Sequence, residues 1–365
     1  MKRVLFLTNY ASPYRVRFFD QLGKTADVTV LYSDRVENIR HRDGAWFEEG
    51  QGGFHPVQLK AVARLGDENL CPDVVKWLKK PYDACIICGY SSPTAMLAMA
   101  CLRLRRTPFY MEVDGGLIRE EGKGRFLVKK KLVTMADRWL STGRYTTDFL
   151  AHYGASREKI ETYPFSSLFE KDILTDMVSP EEKEQLRREL GISQSRMILA
   201  VGQCIPRKGF DLLLKAAKDL PEDTAVCIVG GEPAEEYLAL QKELGLDRVY
   251  FPGFQKKESL QRYYRCADLF VLPTREDIWG LVINEAMAYG LPVITTDRCV
   301  AGLELVEDGV NGYIVPVEDV EALKNAMLRS LQGDLEGMGA ASLEKIRPYT
   351  IENMAKAHME ILERG

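Results

Sequence analysis

Residues 273–295 read PTREDIWGLVINEAMAYGLPVIT and follow a short apolar run, Leu269–Leu272. The apolar run ends at a proline, a polar turn follows, and apolar residues then recur at helical spacing until Gly-Leu-Pro ends the pattern. This order predicts a strand, a loop, a helix and a second strand. The loop would bring Asp277 and Gly280 to the start of the helix, where free N–H groups attract anions and a glycine lets a phosphate approach. Glu285 adds a second carboxylate eight residues after Asp277.

The composition is that of an ordinary soluble globular protein. The chain has 365 residues, 46% hydrophobic and 28% charged, which favours two domains. No apolar run is long enough to span a membrane, and the first apolar run lacks a cleavage site, so we expect neither a membrane helix nor a signal peptide. The eight cysteines and four histidines are scattered, and the C-x-x-C at 85–88 lies in a predicted strand. We therefore expect reduced thiols, no zinc site and a cytoplasmic location.

The charge is distributed unevenly along the chain. Residues 1–167 carry 26 basic and 19 acidic residues, a net charge of +7, whereas residues 168–365 carry 23 and 34, a net charge of −11. The two halves should therefore bind different partners, and an anionic surface or acceptor is the natural partner of the first.

Strands and helices alternate through both halves, which predicts two parallel sheets with helices on both faces. In the first half, one helix should begin at Ser12-Pro13, and three more should cover 93–104, 125–135 and 145–153. The pattern of strands and helices weakens over 35–58, where a surface loop is predicted at 50–53. A polar helical stretch at 172–188, with a helix start at Ser179-Pro180-Glu181-Glu182, should separate the halves, and an amphipathic helix should cover 350–363. Strands are predicted at 3–7, 28–32, 84–88, 108–113, 139–142, 197–202, 225–229, 249–251, 269–272, 293–295 and 313–315.

Residues 273–295 resemble the signature of retaining, family 4 type glycosyltransferases of the GT-B fold (glycosyl transferases group 1). In that family, two acidic residues separated by seven others flank a glycine turn before a Glu-Ala-Met-Ala helix. The resemblance implies an α/β fold of two tandem Rossmann-like domains facing a central cleft, with ligand sites at the carboxyl ends of both sheets. An ordinary Rossmann-type helix with a solvated acidic start is the alternative for this stretch alone.

The resemblance also implies roles for the residues of the stretch. The first carboxylate contacts the donor sugar, and here either Asp277 or its neighbour Glu276 would do so. The second, Glu285, would bind the ribose hydroxyls of the sugar nucleotide. The amides that would hold the diphosphate are those of Gly280, Leu281 and Val282.

Residues 202–211 read GQCIPRKGFD and resemble the family's second hallmark, a glycine turn that ends in a basic residue and a glycine. Cations here would neutralise the donor diphosphate, and we expect Gly202, Gln203, Arg207 and Lys208 to contact the donor. The family often has arginine where this chain has Gln203, so Arg207 would supply the second cation. A solvated basic turn is the alternative. Two weaker matches are Gly230, in a turn after a strand, and Phe254, where the family contacts the nucleotide base.

Residues 112–116 read EVDGG and follow a predicted strand. The acidic pair resembles the metal-binding pair of GT-A transferases. Within two Rossmann-like domains, however, we assign Asp114 and Gly115 to the acceptor or sugar-facing side, and a structural turn without chemistry stays open. Tyr14 and Arg15, after the first strand, would reach the cleft or solvate the helix.

We expect a retaining glycosyltransferase that moves a sugar from a nucleotide-sugar, with UDP favoured, to a glycan or lipid-linked hydroxyl in polysaccharide or cell-envelope synthesis. Residues 1–168 would bind the acceptor, 169–347 the donor, and 348–365 would cross back to the first domain. Asp277, Lys208 and Asp114 are the expected catalytic residues, without a cofactor, metal ion or nucleic acid. A nucleotide-sugar 2-epimerase and a non-catalytic binding protein are the alternatives.

The segment 125–133, RFLVKKKLV, mixes basic and apolar residues at helical spacing. It would rest on anionic lipid on the inner face of a membrane or form a solvated helix face; the two interpretations stay open.

Overall fold

A computed structural model describes residues 1–35 and 52–364. The chain forms two compact units: Met1–Ser167 together with Tyr349–Gly365, and Leu168–Pro348. Each bound lies within one residue of the division expected from the sequence. Residues 50 and 51 of the predicted surface loop lie outside the described residues, while residues 52 and 53 lie in a bend.

The strands match the predicted apolar runs closely, and most residues of these runs are buried. They are β1 (Arg3–Thr8), β2 (Asp27–Tyr32), β3 (His55–Gln58), β4 (Ala63–Leu65), β5 (Glu68–Leu70), β6 (Ala84–Cys88), β7 (Tyr110–Val113), β8 (Arg138–Ser141), β9 (Ile160–Thr162), β10 (Arg196–Val201), β11 (Thr224–Val229), β12 (Val249–Gly253), β13 (Leu269–Leu272), β14 (Val293–Thr296) and β15 (Gly312–Val315).

The helices connect the strands in the order that parallel sheets require. They are α1 (Pro13–Leu22), α2 (Val74–Trp77), α3 (Pro93–Leu104), α4 (Lys123–Val133), α5 (Arg144–His152), α6 (Pro180–Glu189), α7 (Phe210–Ala217), α8 (Glu235–Glu243), α9 (Lys257–Cys266), α10 (Leu281–Ala288), α11 (Val300–Leu305), α12 (Val320–Gln332), α13 (Leu335–Ile346) and α14 (Ile351–Arg364). Short 3₁₀ turns occur at Arg157–Lys159, Glu170–Asp172 and Pro206–Lys208.

The first unit is built on a parallel sheet of seven strands in the order β3-β2-β1-β6-β7-β8-β9. The strand order reverses its direction at β1 and β6, and ligands of such sheets bind beyond the carboxyl ends of the strands at such a point. The amphipathic helix α14 packs against α1 and buries Met354, His358 and Ile361.

The second unit is built on a parallel sheet of six strands in the order β12-β11-β10-β13-β14-β15. Here the order reverses between β10 and β13, which are hydrogen-bonded neighbours. The turn after β10 and the loop after β13 therefore leave the same edge of the sheet side by side. These two segments carry most of the predicted donor-binding residues, while Gly230 and Phe254 follow β11 and β12.

Three details differ from the sequence prediction. The edge strands β3 and β9 and the hairpin β4–β5 were not predicted. The helical stretch predicted at 172–188 is wrong over its first part, because α6 begins at Pro180; the helix start predicted at Ser179-Pro180 is confirmed. Ser179 is extended and accepts a hydrogen bond from the amide of Glu182, and a proline disfavours helical backbone in the residue before it.

Candidate functional site in the second unit

The loop after β13 enters α10 through a left-handed glycine. Gly280 has φ +102°, and a Cβ at this position would lie 2.7 Å from the Sγ of Cys299. The preceding residues are held by main-chain bonds to the next loop: the amide of Asp277 donates to the carbonyl of Arg298 (2.9 Å), and the amide of Ala301 donates to the carbonyl of Trp279 (2.8 Å). The helix therefore begins at a fixed place, with Gly280, Leu281 and Val282 in its first turn.

The cationic turn after β10 lies against this loop. The Nζ of Lys208 is 2.6 Å from Oδ2 of Asp277, and both side chains are largely buried. A guanidinium nitrogen of Arg207 donates to the main-chain carbonyl of Glu276 at 2.7 Å and lies 3.9 Å from Oδ2 of Asp277. The carboxylate of Asp277 thus binds the cationic turn, and the main-chain carbonyl of Glu276 accepts from the same turn.

The backbone fixes the turn in this position. Gly209 has φ +70°, and a Cβ there would lie 2.0 Å from the carbonyl oxygen of Pro273. The hydroxyl of Thr274 donates to the carbonyl of Arg207 (2.9 Å), and so does the amide of Arg275 (2.8 Å). Lys208 and Asp277 are consequently held together by main-chain bonds as well as by their own charges.

Arg275 reinforces the turn and was not predicted. Its guanidinium binds both carboxylate oxygens of Asp211 at 2.8 Å, binds Glu318, and donates to the carbonyl of Pro206 at 2.6 Å. Burial opposes ionisation of Asp211, but the hydrogen bonds and charge of Arg275 outweigh it and lower the pKa of Asp211 below its usual range. The pKa of Arg275 is raised by the same partners, so the guanidinium stays charged.

Glu285 lies on α10 one and a half turns after the glycine. Its Oε2 accepts a hydrogen bond from the hydroxyl of Tyr264 at 3.0 Å, and the ring of Tyr264 stacks on that of Tyr289 with an angle of 4°. Burial, and then the neighbouring carboxylate, raise the pKa of Tyr264 well above its usual range, so this hydroxyl remains a donor. Tyr264 thus fixes one carboxylate oxygen of Glu285.

Glycines at the ends of β10, β11 and β12 let these three neighbouring strand ends approach each other closely. The amide of Gly202 donates to the carbonyl of Val229 (2.8 Å), and that of Gly230 donates to the carbonyl of Gly253 (3.0 Å). Gly230 has φ +132°, and a Cβ there would lie 2.6 Å from the carbonyl oxygen of Gly202. Gln203 follows the first of these glycines and is half-buried, and Phe254 follows Gly253 with an exposed ring. The predicted donor-binding residues of the second unit therefore border one edge of its sheet.

Candidate functional site in the first unit

Asp114 follows β7 and is bound by two residues of α1. Its Oδ1 accepts from the guanidinium of Arg15, and its Oδ2 accepts from the hydroxyl of Tyr14 at 3.2 Å. The other terminal nitrogen of Arg15 lies 2.7 Å from Oε2 of Glu112. The side chain of Arg15 is 3% exposed, so the alternative in which it solvates the helix is wrong. Gly115 continues the turn after Asp114.

The two carboxylates of this group have opposite pKa shifts. Burial opposes ionisation of Glu112, but Arg15 and then His358 outweigh it, and the pKa of Glu112 lies well below its usual range. Burial, together with the charge of Glu112, raises the pKa of Asp114 in spite of Arg15. Glu112 is therefore a fixed negative charge, and Asp114 is the carboxylate that takes up a proton first as the pH falls.

This geometry bears on the metal alternative for Glu112 and Asp114. A guanidinium already binds both carboxylates, and a divalent cation would have to displace it. Within residues 1–35 and 52–364, no three His, Cys, Asp or Glu side chains are grouped so that they could hold a metal ion. That the protein requires no metal ion stays a prediction.

The helix α4 presents a basic and apolar surface, which we call the α4 surface: Leu127, Val128, Lys130 and Lys131. All four side chains are exposed. Lys129, in the same run, instead binds Glu121 at 2.8 Å and the hydroxyl of Tyr153 at 3.1 Å. In the part of the chain that the structure describes, no helix is both long and apolar enough to span a membrane.

Comparisons with known proteins

Residues 182–350 match the model of the family "Glycosyl transferases group 1". Among curated proteins, the D-inositol 3-phosphate glycosyltransferase of Kribbella flavida is 29% identical over 255 residues, covering 65% of this chain and 58% of that protein. The enzyme of the same name from Nocardia farcinica is 31% identical over 258 residues, covering 66% of this chain and 55% of that protein. The alignments thus span little more than half the length of these two relatives.

Solved structures match over the whole chain. HepE of Anabaena, crystallised with UDP and glucose, has a TM-score of 0.75 and 19% identity and covers 100% of both chains. Sucrose-phosphate synthase of Thermosynechococcus elongatus has a TM-score of 0.75 and 20% identity, covering 100% of this chain and 98% of that one.

These similarities confirm the predicted fold class, an α/β protein of two Rossmann-like domains, and the group 1 resemblance; the narrower assignment to family 4 stays a prediction. Residues 182–350, a little under half of the chain, thus match the glycosyl transferases group 1 family, and the chain as a whole has the GT-B fold.

Proposed function

We propose that the protein transfers a sugar from a nucleotide-sugar to an acceptor hydroxyl with retention of configuration at the anomeric carbon. The observation that carries the proposal is the arrangement of Lys208, Asp277 and the left-handed Gly280 at the start of α10. A diphosphate leaving group carries negative charge, and fixed cations and free helix amides stabilise such charge as it develops.

Each residue of the arrangement has a separate task in this proposal. Lys208 and Arg207 neutralise the departing diphosphate, whose other oxygens accept from the amides of Gly280 and Leu281. Asp277 holds Lys208 in place before the donor binds and positions the sugar. The family resemblance further implies attack from the side of the departing phosphate, which helps to take the proton of the acceptor hydroxyl.

The donor in this proposal is a UDP-sugar. Glu285 would accept hydrogen bonds from the ribose hydroxyls, and the hydroxyl of Tyr264 holds its carboxylate in place for that contact. The base would lie against the exposed ring of Phe254. The UDP and glucose in the crystal of HepE, which shares the fold, support a uridine nucleotide as the first donor to be tested.

The acceptor would be a glycan or a lipid-linked glycan bound by the first unit, with Asp114, Gly115 and Tyr14 on the acceptor side. The α4 surface would bring this unit to anionic lipid on the cytoplasmic face of a membrane. Exposed apolar residues beside Lys130 and Lys131 support this, because each basic residue near such a surface contributes about 1 kcal/mol.

Two other functions predict different outcomes. A nucleotide-sugar 2-epimerase of the same fold would convert the donor in the absence of any acceptor, and a non-catalytic binding protein would bind the donor without turnover. The Lys208–Asp277 pair and Arg207 favour catalysis over binding alone, because a cation held against the leaving group acts on the reaction itself.

The test is a calorimetric and mass-spectrometric screen of nucleotide-sugars with and without lipid-linked acceptors, each in the presence and absence of a chelator. We expect tight binding of a UDP-sugar and a glycosylated product that requires the acceptor and survives chelation. A new nucleotide-sugar from the donor alone would favour the epimerase, and binding without any product would refute transfer.

A further inference from the structure

The helix α14 contributes a buried histidine to the core of the first unit. His358 has no exposed surface, and its ring lies between aromatic rings from three other segments: Phe18 at 4.7 Å, Tyr163 at 4.4 Å and Phe6 at 6.5 Å between ring centroids. These rings fix the plane of the imidazole. The two nitrogens therefore point in defined directions.

Both nitrogens meet oxygen acceptors. Nδ1 lies 2.7 Å from the carbonyl oxygen of Met354, and Nε2 lies 3.3 Å from Oε1 of Glu112. The carbonyl can only accept, so Nδ1 is a donor. Glu112, ionised as its lowered pKa requires, also only accepts, so Nε2 is the donor in the second contact.

The contacts of Glu112 continue towards the surface of the unit. Its other oxygen, Oε2, accepts from Arg15 at 2.7 Å and from the thiol of Cys88 at 3.0 Å. Arg15 then binds Asp114 through its second terminal nitrogen. The side chains of His358 and Glu112 are completely buried and that of Arg15 nearly so, whereas that of Asp114 is 29% exposed. The chain of contacts from His358 through Glu112 and Arg15 therefore reaches solvent at Asp114.

We infer that His358 is a positioning residue for Asp114: it holds Glu112, and Glu112 holds the guanidinium of Arg15 that orients the Asp114 carboxylate. The inference rests on the proposed function in so far as Asp114 faces the acceptor. It assigns a contribution to α14, which lies outside the segment that the family model matches.

The physical reason is that one guanidinium serves two carboxylates. When His358 donates to Glu112, part of the negative charge of Glu112 is satisfied without Arg15. Without that donor, Arg15 becomes the main partner of Glu112 and binds Asp114 less well. Asp114 then loses both a fixed orientation and the positive charge that favours its ionised form.

Two substitutions separate the two nitrogens of the ring. His358→Gln can place an amide nitrogen near the Nε2 position and keep a donor to Glu112, whereas His358→Asn reaches only the Nδ1 position and leaves Glu112 without it. The other polar groups near the ring and near Glu112, namely Arg15, Cys88 and Tyr163, are unchanged in both variants. Thermal unfolding of each variant tests that the first unit is folded.

In sugar transfer, we expect His358→Asn to lower kcat by about tenfold or more with the donor KM within about twofold, since misplacement of a positioned group is costly. The acid limb of its pH profile should move to higher pH. His358→Gln should stay within about threefold of the native protein in kcat. Equal kcat values and pH profiles in the Asn variant and the native protein would overturn the inference, and so would equal losses in both variants.

A measurement without turnover keeps the inference separate from the proposed function. The carboxyl ¹³C signal of Asp114, assigned with Asp114→Asn, can be titrated in the ligand-free protein. We expect its titration to move to higher pH in His358→Asn and to stay unchanged in His358→Gln. If the native protein transferred no sugar, the proposed function would fail while this titration still decided the role of His358; an unmoved signal in His358→Asn would overturn that role.

Discussion

The ammonium nitrogen of Lys208 lies 2.6 Å from a carboxylate oxygen of Asp277, although 69 residues separate the two in the chain. Both side chains are largely buried, and hydrogen bonds to the carbonyl of Arg207 also hold the two segments together. A cation fixed in this way needs little rearrangement when a diphosphate departs, which is the condition under which charge stabilisation is most effective.

Lys208→Ala should therefore lower kcat by about 100-fold or more, because one charge-stabilising contact to the leaving group is lost. The matched control is Lys218→Ala, which removes an exposed lysine just after α7 and should leave kcat unchanged. Steady-state kinetics with saturating acceptor measure both variants. Near-native turnover by the Lys208 variant would contradict the role assigned to it.

Glu285→Ala should lower turnover by about 100-fold, as expected when a carboxylate that binds hydroxyl groups is removed. A donor with a 2′-deoxyribose gives the sharper test. If Glu285 binds the ribose hydroxyls, the native protein should use the deoxy donor poorly, and the variant should discriminate less between the two donors. Undiminished discrimination in the variant would show that the carboxylate acts elsewhere.

Gly280→Ala should destabilise the second unit and weaken donor binding, because a Cβ would both strain the left-handed backbone and lie 2.7 Å from the Sγ of Cys299. Gly245→Ala is the control: its φ is +65°, and a Cβ there meets nothing within 4 Å. We expect a cost of roughly 1 to 2 kcal/mol for the control and roughly 2 to 5 kcal/mol for Gly280→Ala. Denaturant unfolding and calorimetry with UDP measure the two effects, and equal costs would contradict the packing argument.

Local structure can be predicted from the sequence, whereas contacts between side chains far apart in the chain cannot. The spacing of Asp277, Gly280 and Glu285 is readable because all three belong to one loop and helix. The edge strand β3 was missed because its four residues are mostly exposed and include a proline, so they show no apolar run. Arg275 binds Asp211 from 64 residues away, and His358 meets Glu112 from 246 residues away. Such pairs exist only once the sheets have formed.

The α4 surface should bind anionic vesicles. Lys130→Glu combined with Lys131→Glu should abolish flotation with phosphatidylserine-rich liposomes, because two attractive charges near the surface become repulsive. Lys129 is left intact, since its contacts with Glu121 and Tyr153 belong to the fold. The matched control is Lys242→Glu with Lys256→Glu, two exposed lysines of the second unit. Unchanged flotation of the α4 variant would contradict the membrane proposal.

Asp211→Asn should destabilise the second unit at neutral pH and have little effect in acid. The folded pKa of Asp211 is lowered, so its pairing with Arg275 contributes stability above the unfolded pKa, about 3.9, and this contribution disappears as pH falls through the folded value. Arg275 stays charged throughout and adds no pH dependence of its own. We expect the variant to unfold roughly 2 to 4 °C below the native protein at pH 7, a loss of about 1 kcal/mol, and the gap to narrow as pH falls below about 3.9. Asp247→Asn, on an exposed loop residue, should show no gap at either pH. A gap for Asp211→Asn that stayed constant from pH 7 to pH 3 would mean that the aspartate stabilises the turn by shape and not by its charge.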